Sequence, residues 1–297
     1  MRQIEEHTVT KTGADRRIYD YCTGLFDQLP SRKGVKKAIK RGQILLNGEK
    51  VADGRWVSSG DVITLVDPEN KGPKPYHLSL DVIFEDEAIA LVAKPAGLLS
   101  SGNQFKTFAA ALRHNLTPSH EKDALPWPLP THRLDKATPG IMLIAKTASA
   151  RIQIGQQFEN KEISKVYHAL VMGRIPTSGN IHAPIEGKTA QTSFRLVKEV
   201  PCLKSDYLSL VELKPTTGRT HQLRKHMAEM GTAILGDPLY SPEGLKLKNK
   251  GLFLVSNSIG FIHPKSKKRK TYGIAIPDKF YKRLHAEERR WKNIHLT

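Results

Sequence analysis

Apolar and polar positions change period several times along this chain, and each change predicts an element. Residues 1–13 show no period and read as a flexible N-terminal arm. From Ala14, Ile18, Tyr21, Leu25 and Phe26 recur at helical spacing. Ser31 is placed to cap a second helix over Arg32 to Arg41, ended by Gly42, with Val35 and Ile39 inward. An apolar run at 44–46 and a second extended segment at Lys50-Val51 flank Asn47-Gly48, the signature of a hairpin. A turn at Ser59-Gly60-Asp61 leads to Val62–Leu65 and closes a small domain over 14–66. Residues 67–78, DPENKGPKPYHL, carry Pro, Gly and charge and read as a linker.

A larger domain over 79–297 follows. A hairpin is expected across Val82–Phe84 and Ala88–Ala93, then a helix over Phe108–His114 and a Pro-rich loop over Glu121–Pro130. Ile141–Ala145 is apolar throughout and reads as a buried strand. Thr147 or Ser149 can cap a helix over Ala150–Asn160, with Ile154 and Phe158 inward. Lys165–Val171 alternates, which puts Tyr167, Ala169 and Val171 on one face. Pro176–Gly187 reads as a connection, and Thr192–Val197 and Tyr207–Leu213 as strands. Thr220 is placed to cap a helix over His221–Met230, closed by Gly231, with Leu223, Met227 and Met230 as its buried stripe. The chain ends in a basic tail. Mixed strands and helices indicate an α+β class.

Composition narrows the partner. Hydrophobic residues make up 39% of the 297, enough for packed cores, while the net charge is +18. So basic a protein points to polyanions, with nucleic acid ahead of membrane. No apolar run approaches a membrane span, and the polar, acidic start MRQIEEHTVTKTGADRR is unlike a signal peptide. The two cysteines, Cys22 and Cys202, exclude a cysteine-rich zinc site and a disulfide framework, so cytoplasmic thiols are expected. Arg32, Lys33, Lys36, Lys37, Lys40 and Arg41 gather along one side of the second helix and are candidate RNA contacts; the alternative is a solvated basic face.

The chemistry concentrates in HRLDKATPG, His132–Gly140. Its one carboxylate, Asp135, stands between Arg133 and Lys136 in a turn that runs into the apolar strand. Neighbouring cations favour the ionised form, which suits a nucleophile or electrostatic stabiliser. Read alone, Asp135 could equally cap a turn or pair with Arg133. The longer pattern changes that. HRLDKATPG resembles the catalytic motif of the RluA-type RNA pseudouridine synthases, with Pro139 where that family usually has Ser. Lys94-Pro95-Ala96-Gly97-Leu98-Leu99, Lys165-Val166-Tyr167-His168-Ala169 and Thr217-Gly218-Arg219-Thr220-His221-Gln222-Leu223-Arg224 resemble further family segments in the family's order, followed by Gly236-Asp237 and Tyr240. The segment Leu254-Val255-Ser256 departs from the family pattern. Residues 14–66 resemble the small RNA-binding domain named after ribosomal protein S-four, which often precedes such catalytic domains.

The resemblance implies a pseudouridine synthase fold, with a mixed, largely antiparallel sheet and flanking helices, plus a small α/β RNA-binding domain. It implies an isomerase that converts specific uridines in structured ribosomal or transfer RNA. Asp135 would act at the anomeric carbon, Arg224 would pair with it, and Tyr167 would stack on the target uracil. Arg133 would enter the space left by a flipped nucleotide, since chemistry on a stacked base requires flipping. His132 would order the loop, Arg219 would compete with Arg224 for the pair with Asp135 or else hold backbone phosphate, and Lys94 belongs to the substrate-binding set. The reaction breaks a base–sugar bond and forms a carbon–carbon bond with no redox step, so no metal or cofactor is required. RNA is the expected partner, and a monomer without an obligatory protein partner is expected. Two other readings compete: a non-catalytic RNA-binding factor, and a carboxylate-dependent hydrolase, which would need a second carboxylate.

Overall fold

The computed structural model describes residues 2–52, 54–67, 74–247 and 249–295. The chain divides into two compact units, 1–72 and 73–297.

The small unit contains β1 (Arg2–Thr8), β2 (Arg16–Arg17), α1 (Ile18–Tyr21), α2 (Arg32–Lys40), β3 (Ile44–Leu46), β4 (Glu49–Lys50), β5 (Trp56–Val57) and β6 (Val62–Asp67). One sheet has the order β1-β6-β3-β4, and β2 pairs with β5. Ser31 caps α2 by accepting from Gly34 N at 3.2 Å, and Gly42 follows with φ +67°. Val35, Ala38 and Ile39 bury with Ile18, Phe26, Ile44 and Ile63 in one core. The flexible arm is a correction: residues 2–8 form β1, antiparallel to β6. Their polar sequence shows no alternation because the ladder to β6, not an apolar face, holds them. The first helix is shorter than its apolar spacing predicts, a single turn followed by turns that bury Cys22 and Phe26.

The large unit contains β7 (Asp81–Glu85), β8 (Ile89–Lys94), α3 (Phe108–Asn115), β9 (Ala124–Pro130), β10 (Gly140–Thr147), α4 (Ala148–Glu159), β11 (Ser164–Met172), β12 (Ser178–Ile181), β13 (Thr192–Cys202), β14 (Asp206–Pro215), α5 (Gln222–Glu229), β15 (Leu254–Ile262), β16 (Arg269–Gly273) and α6 (Asp278–His295). Its sheet runs β12-β13-β14-β11-β15-β10-β8-β7, with β16 on β15 and β9 on β10. The β10–β15 pair is parallel and the others are antiparallel. Tyr167, Ala169 and Val171 face one core with Met142, Leu223 and Met227, while Leu170 and Met172 face another with Phe280 and Leu284.

Three segments differ from the sequence reading. Part of the expected linker, 68–73, lies outside the described residues. The rest docks on the large unit: Tyr76 N donates to Ala110 O, and Asn115 bonds both Leu78 O and Leu80 N. The Pro-rich loop is strand β9. Pro126, Pro128 and Pro130 alternate, so their missing N–H groups fall on the side away from β10, while Thr131 N donates to Leu143 O. The basic tail is largely helix α6, anchored by Phe280 and Leu284 one helical turn apart.

Candidate active site

Asp135 sits on the loop that joins β9 to β10. That loop is held from several sides. His132 Nε2 accepts from Leu143 N at 3.1 Å, which leaves the ring proton on Nδ1. Burial, with Lys165 nearby, lowers the His132 pKa to about 4, so the ring is neutral at pH 7. Ser100 Oγ donates to Leu134 O at 2.8 Å and accepts from Leu134 N at 3.0 Å. Leu134 is buried, while Arg133 and Lys136 on either side of it are exposed. Thr138 N donates to Asp135 O at 3.0 Å and closes the turn. Gly140 ends it at φ +138°, where a Cβ would stand 2.2 Å from Ser256 O, so only glycine lets β10 start this close to β15.

The carboxylate of Asp135 is 20% exposed and faces a cavity of about 320 Å³. Its ion partners are Arg224 Nη1 at 3.7 Å and His221 Nε2 at 3.9 Å, both to Oδ2. Arg133 is not among them; it stands exposed at the rim. Tyr167 lines the cavity from β11. Burial pushes its pKa up to about 12, against a hydrogen bond with Ser256 and with further help from Asp135, so the phenol stays protonated at neutral pH. Lys165 lines the same cavity, with its pKa lowered by burial, and Nζ reaches Thr217 O at 3.4 Å. Among the described residues that line the cavity, Asp135 is the only carboxylate. A two-carboxylate hydrolase therefore lacks its second group.

Arg224 departs from the expected pairing. Its closest partner is Asp237, to which Nε and Nη2 donate at 2.6 and 2.7 Å; Asp135 takes the remaining nitrogen at longer range. The guanidinium is 4% exposed and Asp237 is fully buried, so each charge needs the other. Burial works against ionisation of Asp237. The Arg224 hydrogen bonds and the N–H groups of Leu239 and Tyr240 outweigh it and hold the carboxyl below its ordinary range.

Asp237 also positions a second group. Its contacts to Leu239 N and Tyr240 N fix Tyr240, whose hydroxyl meets His221 Nδ1 at 2.9 Å. Two cationic or cation-capable groups thus converge on Asp135 from one buried anchor. Burial, against the opposing pull of Asp135, lowers the His221 pKa.

Lys94 requires a correction as a substrate-binding residue. It is 1% exposed, and Nζ donates to Leu98 O at 2.8 Å, Pro95 O at 2.9 Å and Lys136 O at 3.4 Å. It ties two loops together beneath the site, and burial lowers its pKa to about 8 even with Asp135 favouring the charge. Arg219 is exposed at the rim, its Nε on Thr189 O at 3.0 Å. Thr220 is not the cap of α5. His221 occupies that position at φ 56° with no side-chain cap. Gln222 orders the turn instead, accepting from Thr217 Oγ1 and Arg219 N and donating to Gln191 O.

His221, Lys165 and Asp237 are the residues sequence reasoning left without a role at the site. All three stand inside the matching segments, but nothing in their spacing shows that they converge. His226 uses both ring nitrogens, on Thr192 Oγ1 and Ala183 O, and so serves packing. The five cations of α2, and Arg41 just after it, are all exposed. Arg32 is committed to Asp20 at 2.9 Å and shares the Tyr19 ring with Lys36.

Known proteins bear on this arrangement. Residues 88–229 match the family model described as RNA pseudouridylate synthase. An uncharacterized RNA pseudouridine synthase of Aquifex aeolicus is 32% identical over 296 residues, covering 90% of this chain and 92% of the relative. The ribosomal large subunit pseudouridine synthase D of Xylella fastidiosa is 33% identical over 82% of this chain and 76% of its own length. The dual-specificity RNA pseudouridine synthase RluA of Vibrio parahaemolyticus is 33% identical over 68% of this chain and 84% of its own. Among solved structures, human RNA pseudouridylate synthase domain containing 1 aligns with a TM-score of 0.57 at 23% identity, over 70% of this chain and 87% of that one, a likeness of fold. The cleft around Asp135 thus lies in a chain that belongs to the RluA-type RNA pseudouridine synthases, and its activity is that of an isomerase.

Proposed function

We propose that this enzyme isomerises specific uridines in structured ribosomal or transfer RNA in the cytoplasm, working as a monomer, with Asp135 acting at the anomeric carbon of a flipped nucleotide. The observation that carries this reading is the lone, partly buried carboxylate of Asp135, facing a cavity at the low end of the size range of ligand sites. The names of the relatives, a ribosomal large subunit enzyme and a dual-specificity one, support ribosomal RNA first and leave a second RNA class open.

The placement of these residues supports the roles that the resemblance implies. The uracil stacks on Tyr167, a buried ring with a protonated phenol. Arg133, exposed at the rim, enters the stack in place of the extruded nucleotide and offsets part of a flipping cost of a few kcal/mol. Asp135 meets the sugar as the bond from C1′ to N1 breaks, either by bonding to C1′ or by taking a proton from C2′ to give a glycal. The base turns and C5 bonds to C1′; in the first route this breaks the bond between Asp135 and C1′, and in the second the proton held by Asp135 returns to C2′. The C5 proton is then lost and N1, freed from the sugar, takes one up. Arg224 and His221 hold the carboxylate in place through this sequence. No step consumes a cofactor.

The test is pseudouridine mapping at single-nucleotide resolution in total RNA from cells with and without the gene. One or a few sites should vanish with the gene, return with wild type, and stay at background with Asp135→Ala. Restoration by Asp135→Ala, or no change at any site, would overturn the reading.

A further inference from the structure

Helix α6 packs on the sheet face that points away from the catalytic cleft. Phe280 and Leu284 share a core with Leu170 and Met172, while Tyr167 and Ala169 belong to the core under the cleft. Neighbouring residues of β11 point to opposite sides of the sheet, so the sheet itself separates α6 from Tyr167.

The outer face of α6 carries Tyr281, Lys282, His285, Arg289 and Lys292, all exposed and recurring at helical spacing. Lys282 and Arg289 have no partner among the described residues. Lys292 meets Glu288 at 3.3 Å in an exposed pair. Two carboxylates border this face, Asp278 in the first turn, where a helix start favours one, and Glu288 against Lys292. A face kept merely soluble interleaves both signs of charge; here Lys282 and Arg289 stay unmatched beside a tyrosine over about 10 Å of helix.

The flank of α6 adds a cleft of about 330 Å³. Arg283 and Arg290 line it and hold the buried Glu287 at 2.7 and 3.1 Å. Lys204, from the turn between β13 and β14, and Lys246 line it as well. Four cations thus face one carboxylate, and that carboxylate is already shared by two arginines. The Nε of Arg283 is buried with no acceptor. Buried N–H groups are almost always satisfied, so an oxygen-rich anion in the cleft would complete this one.

We infer that α6 and this cleft form a second RNA-binding surface, which takes phosphodiester backbone on the reverse of the catalytic sheet. The inference rests on RNA being the substrate. Because the sheet lies between the two sites, the loop that offers its uridine to Asp135 does not also reach α6. The reverse surface holds a neighbouring part of the same folded RNA, and phosphate contacts there give affinity and orientation without base readout.

The test uses the full chain and a mixed-sequence RNA duplex of about 40 base pairs carrying scattered 4-thiouridine, a length on the scale of extended backbone contact. Wild type is compared with Lys282→Gln/Arg289→Gln/Lys292→Gln. Binding is followed from low to moderate salt, and photo-crosslinked peptides are mapped. Each lost phosphate contact lowers the salt slope by about 0.7–0.9, so the triple variant should lose about 2–3 from the slope. Wild-type crosslinks should include peptides of residues 278–295. An unchanged slope, or no crosslink to α6, overturns the inference. If the substitutions unfold the helix, the wild-type crosslink map decides alone. Neither measurement reads pseudouridine formation. An inactive wild type that still crosslinks through α6 would count against the substrate reading, whereas an active enzyme without such crosslinks would count against this one alone.

Discussion

Helix α2 and the catalytic cleft are both built from cations, and they use them in opposite ways. On α2 and just after it, Arg32, Lys33, Lys36, Lys37, Lys40 and Arg41 all stand in solvent. In the cleft and beneath it, Arg224 and Lys94 are buried and Lys165 nearly so. A solvated cation needs no particular neighbour and gives each contact a modest, salt-screened attraction. A buried one must be matched by an anion or a set of carbonyls, and that match fixes its position. Lys94 is matched by the carbonyls of Pro95, Leu98 and Lys136, and Arg224 by Asp237. Burial therefore turns charge into geometry, which catalysis at Asp135 needs and backbone binding does not.

The comparison breaks most visibly at the buried pair. Arg224→Met strands Asp237 as an unpaired buried charge. We expect it to destabilise the large unit by roughly 3–5 kcal/mol and to stop turnover, as read by chemical denaturation beside product formation. A loss of turnover with stability unchanged would mean that the pair contributes nothing to the fold.

The next effect is smaller and depends on pH. His132 has its pKa lowered to about 4 in the folded chain, against an ordinary 6.5. The unfolded chain takes up a proton below the ordinary value, whereas the folded ring resists until about 4. The stability that His132 contributes is thus present above pH 6.5 and lost as pH falls toward 4, by roughly 3–4 kcal/mol in all. His132→Gln should flatten that part of the pH–stability curve relative to wild type. Parallel curves for the two proteins would sink the idea.

The smallest expected effect belongs to α2. Lys33→Gln/Lys37→Gln should lower the salt slope of RNA binding by about 1–2 and leave the rate at saturating RNA unchanged. A fall in the saturated rate would show that α2 does more than hold RNA.

Much of the site was visible in the sequence because its residues come in short runs. Asp135, Tyr167 and Arg224 lie in segments whose resemblance to one family implied a shared site, and all three do line one cavity. The caps Ser31 and Thr147 were readable because a cap bond spans only three residues. The N-terminal strand was not, since β1 is held by β6 nearly sixty residues away and its own composition carries no alternation. Strand β9 was hidden for a related reason, because prolines read as loop until a partner shows which side of the backbone is bonded.

By itself, then, the sequence determined the chemistry available: one carboxylate among cations, a tyrosine on an alternating strand, and an excess of positive charge fit for RNA. Only the tertiary structure decided how those charges are spent. It gave Arg224 first to Asp237 and second to Asp135, turned His221 toward the carboxylate, and placed Lys94 beneath the site instead of in it. Residue type sets which partners are possible, but burial and distance select among them, and both arise only when strands and loops remote in sequence pack together.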